Sequence, residues 1–174
     1  MWTYIPLYDS LSRCRDKSIM EYKSTVTILP EGIDKYAAFG EIVRNCDVFD
    51  ILDDKDRYLE AVIKREKLQS TGIGHSTAIA HGKVPHLKKT TVALGISTDG
   101  ISYDDIFPEP VHLVFLLASC PTKPSEYVSA LGSLLSWVHE EEVREGLIAC
   151  DFERPSVKAF LEMLKGEDFH KFTR

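Results

Sequence analysis

Residues 111–118 read VHLVFLLA, seven apolar residues out of eight. A strand with one wet face alternates apolar and polar side chains, so a run this uniform suits a strand covered on both faces. Such a strand needs helices on either side of its sheet, and the flanking sequence offers them. Upstream, Tyr36, Phe39, Ile42, Val43 and Cys46 recur at helical spacing. A second helix, capped by Asp53 or Asp54, carries Leu59, Val62 and Ile63 and is predicted to end near Leu68. Beyond Pro124, the positions Val128, Leu131, Leu134, Leu135 and Val138 mark a long amphipathic helix, with two more predicted over 140–150 and 155–164. Further strands are predicted at 24–29, 77–80 and 91–96, with 99–110 (DGISYDDIFPEP) as a loop or hairpin. The connections are long enough for parallel pairing. The expected fold is α/β: a three-layer sandwich whose central mixed, mostly parallel sheet is flanked by helices. Residues 1–22 show no clear period and are left as an unassigned N-terminal extension, with the folded domain over 23–174.

Composition narrows the function. A chain of 174 residues is normally one domain and buries a real core without staples. A formal charge of −6 argues against a general nucleic-acid binder, which needs a basic face to displace counterions. Cys14, Cys46, Cys120 and Cys150 are widely scattered with no CxxC pair, a spacing that suits free thiols better than a disulfide framework or a zinc site. The opening MWTYIPLYDSLSRCRDK lacks the apolar stretch of a signal peptide, and nowhere do 18 apolar residues run together. A soluble, cytoplasmic domain without a membrane span is expected.

The chemistry concentrates in residues 65–83, REKLQSTGIGHSTAIAHGK. Here a helix carrying Arg65 runs into a glycine-punctuated turn, and a short strand then ends at His81. Gly72, Gly74 and Gly82 permit positive φ and close backbone approach, so amides can gather on one anion. A histidine at the C-terminal edge of a strand stands where open α/β sheets place their sites. Its neutral imidazole, with an ordinary pKa of about 6.5, is an available nucleophile near neutral pH.

This stretch resembles the REKxGSTGIGNGIAIPHG of enzyme IIA domains in the fructose/mannitol class of the bacterial sugar phosphotransferase system, and of their nitrogen-regulatory relatives. The likeness extends in outline over residues 24–164. It implies a phosphotransferase in which His81 carries the phosphate, through Nε2, and Arg65 stabilises the phosphorylated site. The hydroxyls of Ser70 and Thr71 are expected to support the phosphate. The resemblance further implies HPr as donor, a cysteine of enzyme IIB as acceptor and a membrane enzyme IIC downstream, with no cofactor and no metal.

Three departures stand out. Ala80 replaces the family's proline before the active histidine, and His75 replaces the asparagine of GIGNG. The family's second histidine, at the start of the helix after the apolar strand, aligns with Tyr127, with His75 or His112 as spatial substitutes. These departures leave a regulatory role open beside sugar transport. A third possibility is a metal-dependent enzyme, because His75, His81 and His86 are spaced HxxxxxHxxxxH. That spacing does not match helical zinc ligands, and no acid lies between them.

Overall fold

The computed structural model describes residues 17–105 and 108–166. Five strands, β1 (Val26–Ile28), β2 (Gly72–Gly74), β3 (Thr77–Lys83), β4 (Thr91–Ile101) and β5 (Val111–Ser119), form one sheet in the order β1-β4-β5-β3-β2. Five helices surround it: α1 (Lys35–Asn45), α2 (Lys55–Leu68), α3 (Pro124–Val138), α4 (Glu141–Ile148) and α5 (Pro155–Lys165). The apolar run is the middle strand. Leu113, Phe115 and Leu117 of β5 pack with α3, α4 and α5, while Val114, Leu116 and Ala118 pack with α1 and α2. All six side chains are fully buried, which is why no polar residue interrupts 113–118.

The three layers and the mixed sheet agree with expectation, but parallel pairing does not predominate. The β1–β4 and β3–β5 pairs are parallel, and the β4–β5 and β2–β3 pairs antiparallel. The reason lies in two connections that need no crossover helix. β4 returns directly into β5, and β2 turns back into β3 through two residues. β4 also outruns its predicted end, reaching Ile101 through a register shift after Ile96 that admits Gly100 at φ 82°.

Helix starts follow the sequence. The Asp34 carboxylate accepts from the amides of Tyr36 and Ala37 at 2.8 and 3.0 Å, and Asp54, rather than Asp53, caps α2 through the Arg57 amide at 2.9 Å. Pro124 and Pro155 occupy the first position of α3 and α5, where no amide donor is missed. Structure is also present before residue 23. A 3-10 turn over Lys17–Glu21 leads into Tyr22, which is 2% exposed and donates its hydroxyl to Glu162 at 3.1 Å. Cys46 and Cys120 are free thiols, whereas Cys150 is disulfide-bonded, a pairing that the scattered spacing of the cysteines did not announce.

The β2–β3 turn contains His75 and Ser76, at φ 53° and 56°. Two consecutive left-handed residues make a type I′ turn, the form that favours Asn-Gly because other side chains crowd the backbone. Ser76→Gly is therefore expected to stabilise the domain by about 1 kcal/mol, or roughly 2–4 °C in a thermal melt. The Ser76 hydroxyl's exposed bond to Glu109, 2.6 Å long, offsets only a small part of that gain.

Candidate functional site

His81 lies inside β3, two residues before its end, rather than just beyond it. On one side the strand pairs with β5, His81 standing opposite Leu117. On the other side its cover stops early. β2 is three residues long, and the last bond across that edge runs from the Ile79 amide to the Thr71 carbonyl at 3.1 Å. The short flanking strand thus exposes the edge where the imidazole stands, leaving His81 half-buried.

Gly82 brings α2 against this edge. A Cβ there would meet Val62 Cγ2 at 2.9 Å and Tyr58 Cε2 at 3.0 Å, so only glycine lets the helix lie so near. Arg65, in the last turn of α2, donates from one guanidinium nitrogen to the Gln69 carbonyl at 3.0 Å, leaving other donors of its planar fork free. Arg65, Lys64, Leu68 and His81 line one cleft of about 400 Å³. The imidazole also borders a pocket of about 200 Å³ with Cys120, Pro124 and Tyr127. The rings of His81 and Tyr127 lie with centroids 5.3 Å apart, inclined at 51°. His81 is therefore set between a guanidinium and a phenol, with Lys83 bordering both hollows.

The electrostatics keep the ring neutral. Burial lowers the pKa of His81 below its ordinary value, and the charge of Arg65 lowers it further, with a smaller push from Lys83. The Ile79 backbone and Glu66 pull the other way without reversing the shift. Nδ1 is buried and makes no well-formed hydrogen bond among the described residues. Burial raises the pKa of Tyr127, against the influence of Arg65, so its hydroxyl is a donor throughout the neutral range.

The other expected site residues lie elsewhere or are otherwise engaged. The Ser70 hydroxyl donates to the Asp104 carboxylate. Thr71 gives its hydroxyl to Glu66, its oxygen lying 2.9 Å from the Tyr103 hydroxyl. Glu66 is 3% exposed and also meets Lys35 at 3.1 Å. This buried cluster ties the start of β2 to α2 and leaves neither hydroxyl free to face an anion. His75 sits in the β2–β3 turn with its ring 6.2 Å from that of His139, at the far end of α3. Six residues along an extended strand separate it from His81, roughly 20 Å at about 3.3 Å per residue. His112, at the same far end, turns Nδ1 to the Ser97 carbonyl at 2.8 Å. Neither histidine faces the His81 imidazole, and among the described residues no three His, Cys, Asp or Glu side chains converge as metal ligands. Of the three residues expected to stand in for a second histidine, Tyr127 is the one whose ring meets that of His81.

Sequence reasoning passed over Lys64, Leu68, Cys120 and Pro124, which frame the two hollows. Lys64 and Leu68 carried a signal, lying on either side of Arg65 in the same final turns of α2. Cys120 and Pro124 carried none, because they reach His81 only through the β3–β5 pairing.

The sequence model of the family described as "Phosphoenolpyruvate-dependent sugar phosphotransferase system, EIIA 2" matches residues 21–163. The fructose-specific EIIABC component of Bacillus subtilis (strain 168) is 33% identical over 131 residues, 75% of this chain and 21% of that protein. The fructose-specific EIIA component of the archaeon Haloferax volcanii is 28% identical over 114 residues, 66% of this chain and 74% of its own length. The crystal structure of nitrogen regulatory protein IIA-Ntr from Neisseria meningitidis superimposes with a TM-score of 0.67 at 26% identity, over 80% of this chain and 94% of that one. The chain thus spans about a fifth of the length of the multidomain B. subtilis relative, and nearly all of the IIA-Ntr structure.

Proposed function

The chain belongs to the EIIA 2 family of the phosphoenolpyruvate-dependent sugar phosphotransferase system, and from that footing we propose that it carries phosphate on His81 between HPr and an enzyme IIB. The observation that carries this reading is the position of the imidazole. It stands on an uncovered strand edge, kept neutral by burial, with a guanidinium lining the same cleft. With Nδ1 turned into the protein, Nε2 is the nitrogen left to attack phosphorus. The Nε2 lone pair forms the new N–P bond as the bond from phosphorus to the donor breaks, and Nδ1 keeps its proton.

Each surrounding group has a physical part in this reading. Phosphorylation brings up to about two negative charges to the ring. Arg65 answers with charge-assisted bonds, and Lys83 and Lys64 add positive potential from nearby. Tyr127 donates its hydroxyl to a phosphoryl oxygen from the opposite side, in place of the family's second histidine. Leu68, 78% exposed at the cleft rim, offers an apolar contact to the visiting protein. The acceptor is an enzyme IIB cysteine, with a membrane enzyme IIC using the phosphate on sugar. No helix of the described residues is long and apolar enough to cross a membrane.

Incubation with labelled phosphoenolpyruvate, enzyme I and HPr tests the reading. The expected result is one acid-labile, alkali-stable phosphate per chain; absence of label, or label on serine or tyrosine, sinks it. A second reading, phosphorylation that controls a partner instead of feeding transport, is favoured by Tyr127 in the histidine's place and by likeness to nitrogen regulatory proteins. The two separate at the next step. Transport requires label to pass to an enzyme IIB cysteine within seconds, whereas a regulatory chain retains it.

A further inference from the structure

Glu66 carries a buried charge that lines neither hollow beside His81. Its side chain has no exposed surface, yet donors surround it. Oε1 meets the Lys35 ammonium at 3.1 Å, and the Thr71 amide lies 3.1 Å from Oε2. The Thr71 hydroxyl donates to Oε2, and the Tyr103 hydroxyl stands 3.5 Å from the same oxygen. Thus α1, α2, the 69–71 connection and the residues after β4 converge on one carboxylate. Such a donor set satisfies the ionised form, and Lys35 supplies the matching charge. The ammonium in turn lies over the rings of Tyr36 and Tyr103, 5.4 and 5.0 Å from their centroids. Buried ion pairs often stabilise a fold no better than apolar side chains of equal volume. Stability alone therefore gives this one little reason to exist.

The carboxylate stands close behind the phosphoryl site. Glu66 follows Arg65 in the last turns of α2, and Arg65 lines the cleft that holds His81. Thr71, gripped by the carboxylate through both its amide and its hydroxyl, accepts from the Ile79 amide at 3.1 Å. One hydrogen-bonded residue therefore links Glu66 to β3, two positions before the imidazole. Burial leaves little solvent to screen the charge, and it pulls the His81 pKa upward against Arg65 and Lys83. On a phosphoryl group the same field has the opposite result. Phosphorylation brings up to about two negative charges, which the carboxylate repels and Arg65 attracts.

We propose that Glu66 weakens the hold of His81 on phosphate without touching it, and so keeps the group transferable. This rests on the reading of His81 as the carrier. Lys35 and Thr71 fix the carboxylate in place, so that Arg65 and Glu66, neighbours on one helix, bias one equilibrium in opposite directions. During release an attacking nucleophile of the partner bonds to phosphorus, the electron pair of the N–P bond returns to Nε2, and the repulsion is relieved. Glu66 forms no bond in this step. It acts as a fixed charge.

The test compares the parent with Glu66→Gln, which keeps the volume and an acceptor for the Thr71 amide while removing the charge. The double variant Lys35→Met/Glu66→Gln accompanies it, leaving no ammonium unpaired. Each full chain is mixed with phospho-HPr and HPr, and its phosphorylated fraction at equilibrium is read on native gels. The equilibrium constant for phosphate uptake is expected to rise about three- to tenfold, and return of phosphate to excess HPr to slow by a similar factor. A merely structural role moves the other way, because a loosened 69–71 connection releases Arg65 and lowers the fraction. Ring titration of unphosphorylated His81 by NMR gives a second readout, expected at lower pH than in the parent. Either variant that folds carries the test. An unchanged or lowered phosphorylated fraction overturns the proposal, as does an unmoved His81 titration. A parent chain that takes no phosphate overturns the reading of His81 itself, and this proposal with it.

Discussion

His81→Gln takes up no phosphate from phospho-HPr while remaining folded. Glutamine keeps much of the imidazole's volume and polarity at a half-buried position, so packing against Tyr127 survives, but its amide nitrogen has no lone pair to offer phosphorus. Tyr127 is held protonated by its raised pKa, and no other histidine of the described residues lines either hollow. The expected loss is complete within the sensitivity of labelling, against a melting temperature within a few degrees of the parent. Label persisting in this variant sends the reading to another residue. The pH profile gives a second check. With the His81 pKa below the ordinary 6.5, the imidazole is neutral throughout physiological pH. The acceptance rate should therefore be flat above pH 7 and decline only below about 6.5. The same shift sets the sign for stability. The unfolded chain takes up a proton near the ordinary value while the folded chain resists, so the contribution of this group falls as pH drops through 6.5.

What was legible in the sequence divides by range. Local signals held: the cap Asp54, the helix beginning at Pro124, and the helical stripes of α1, α2 and α3 all act through residues three or four apart. The apolar run of β5 announced two covering layers because burial on both faces leaves a mark in one segment. The proportion of parallel pairing left no such mark, being decided by which strands meet after distant turns. β2 was missed for a related reason. Gly-Ile-Gly is too short and too rich in glycine to read as a strand, and it pairs because the His75–Ser76 turn folds it onto β3. At the site, Arg65, His81 and Tyr127 come from three elements, and family resemblance rather than periodicity joined them. Ser70 and Thr71 show where reading a site from closeness in sequence weakens. Their hydroxyls lie close to the motif in sequence, but the buried carboxylate of Glu66 and that of Asp104 claim them first.

Replacing Arg65 separates electrostatics from mere proximity. In Arg65→Ala, phosphorylation of His81 should slow by about 10²-fold, and the phosphorylated fraction at equilibrium should fall with it. Two charge-assisted bonds of roughly 1.5–3 kcal/mol each are at stake, and each 1.4 kcal/mol is tenfold. Lys64 and Lys83, on the same cleft, recover part of the loss, which holds the expectation near the lower end of that range. Arg65→Lys retains the charge without the planar fork, so an intermediate rate is expected. A ring titration by NMR supplies a readout that needs no phosphate. The charge of Arg65 lowers the pKa of His81, so the alanine variant must titrate at higher pH than the parent and the lysine variant close to it. If the rate falls in Arg65→Ala with the His81 titration unmoved, the guanidinium acts on docking of the partner instead of on the imidazole. If neither changes, the bond from Arg65 to the Gln69 carbonyl is its whole role, that of closing the C-terminus of α2.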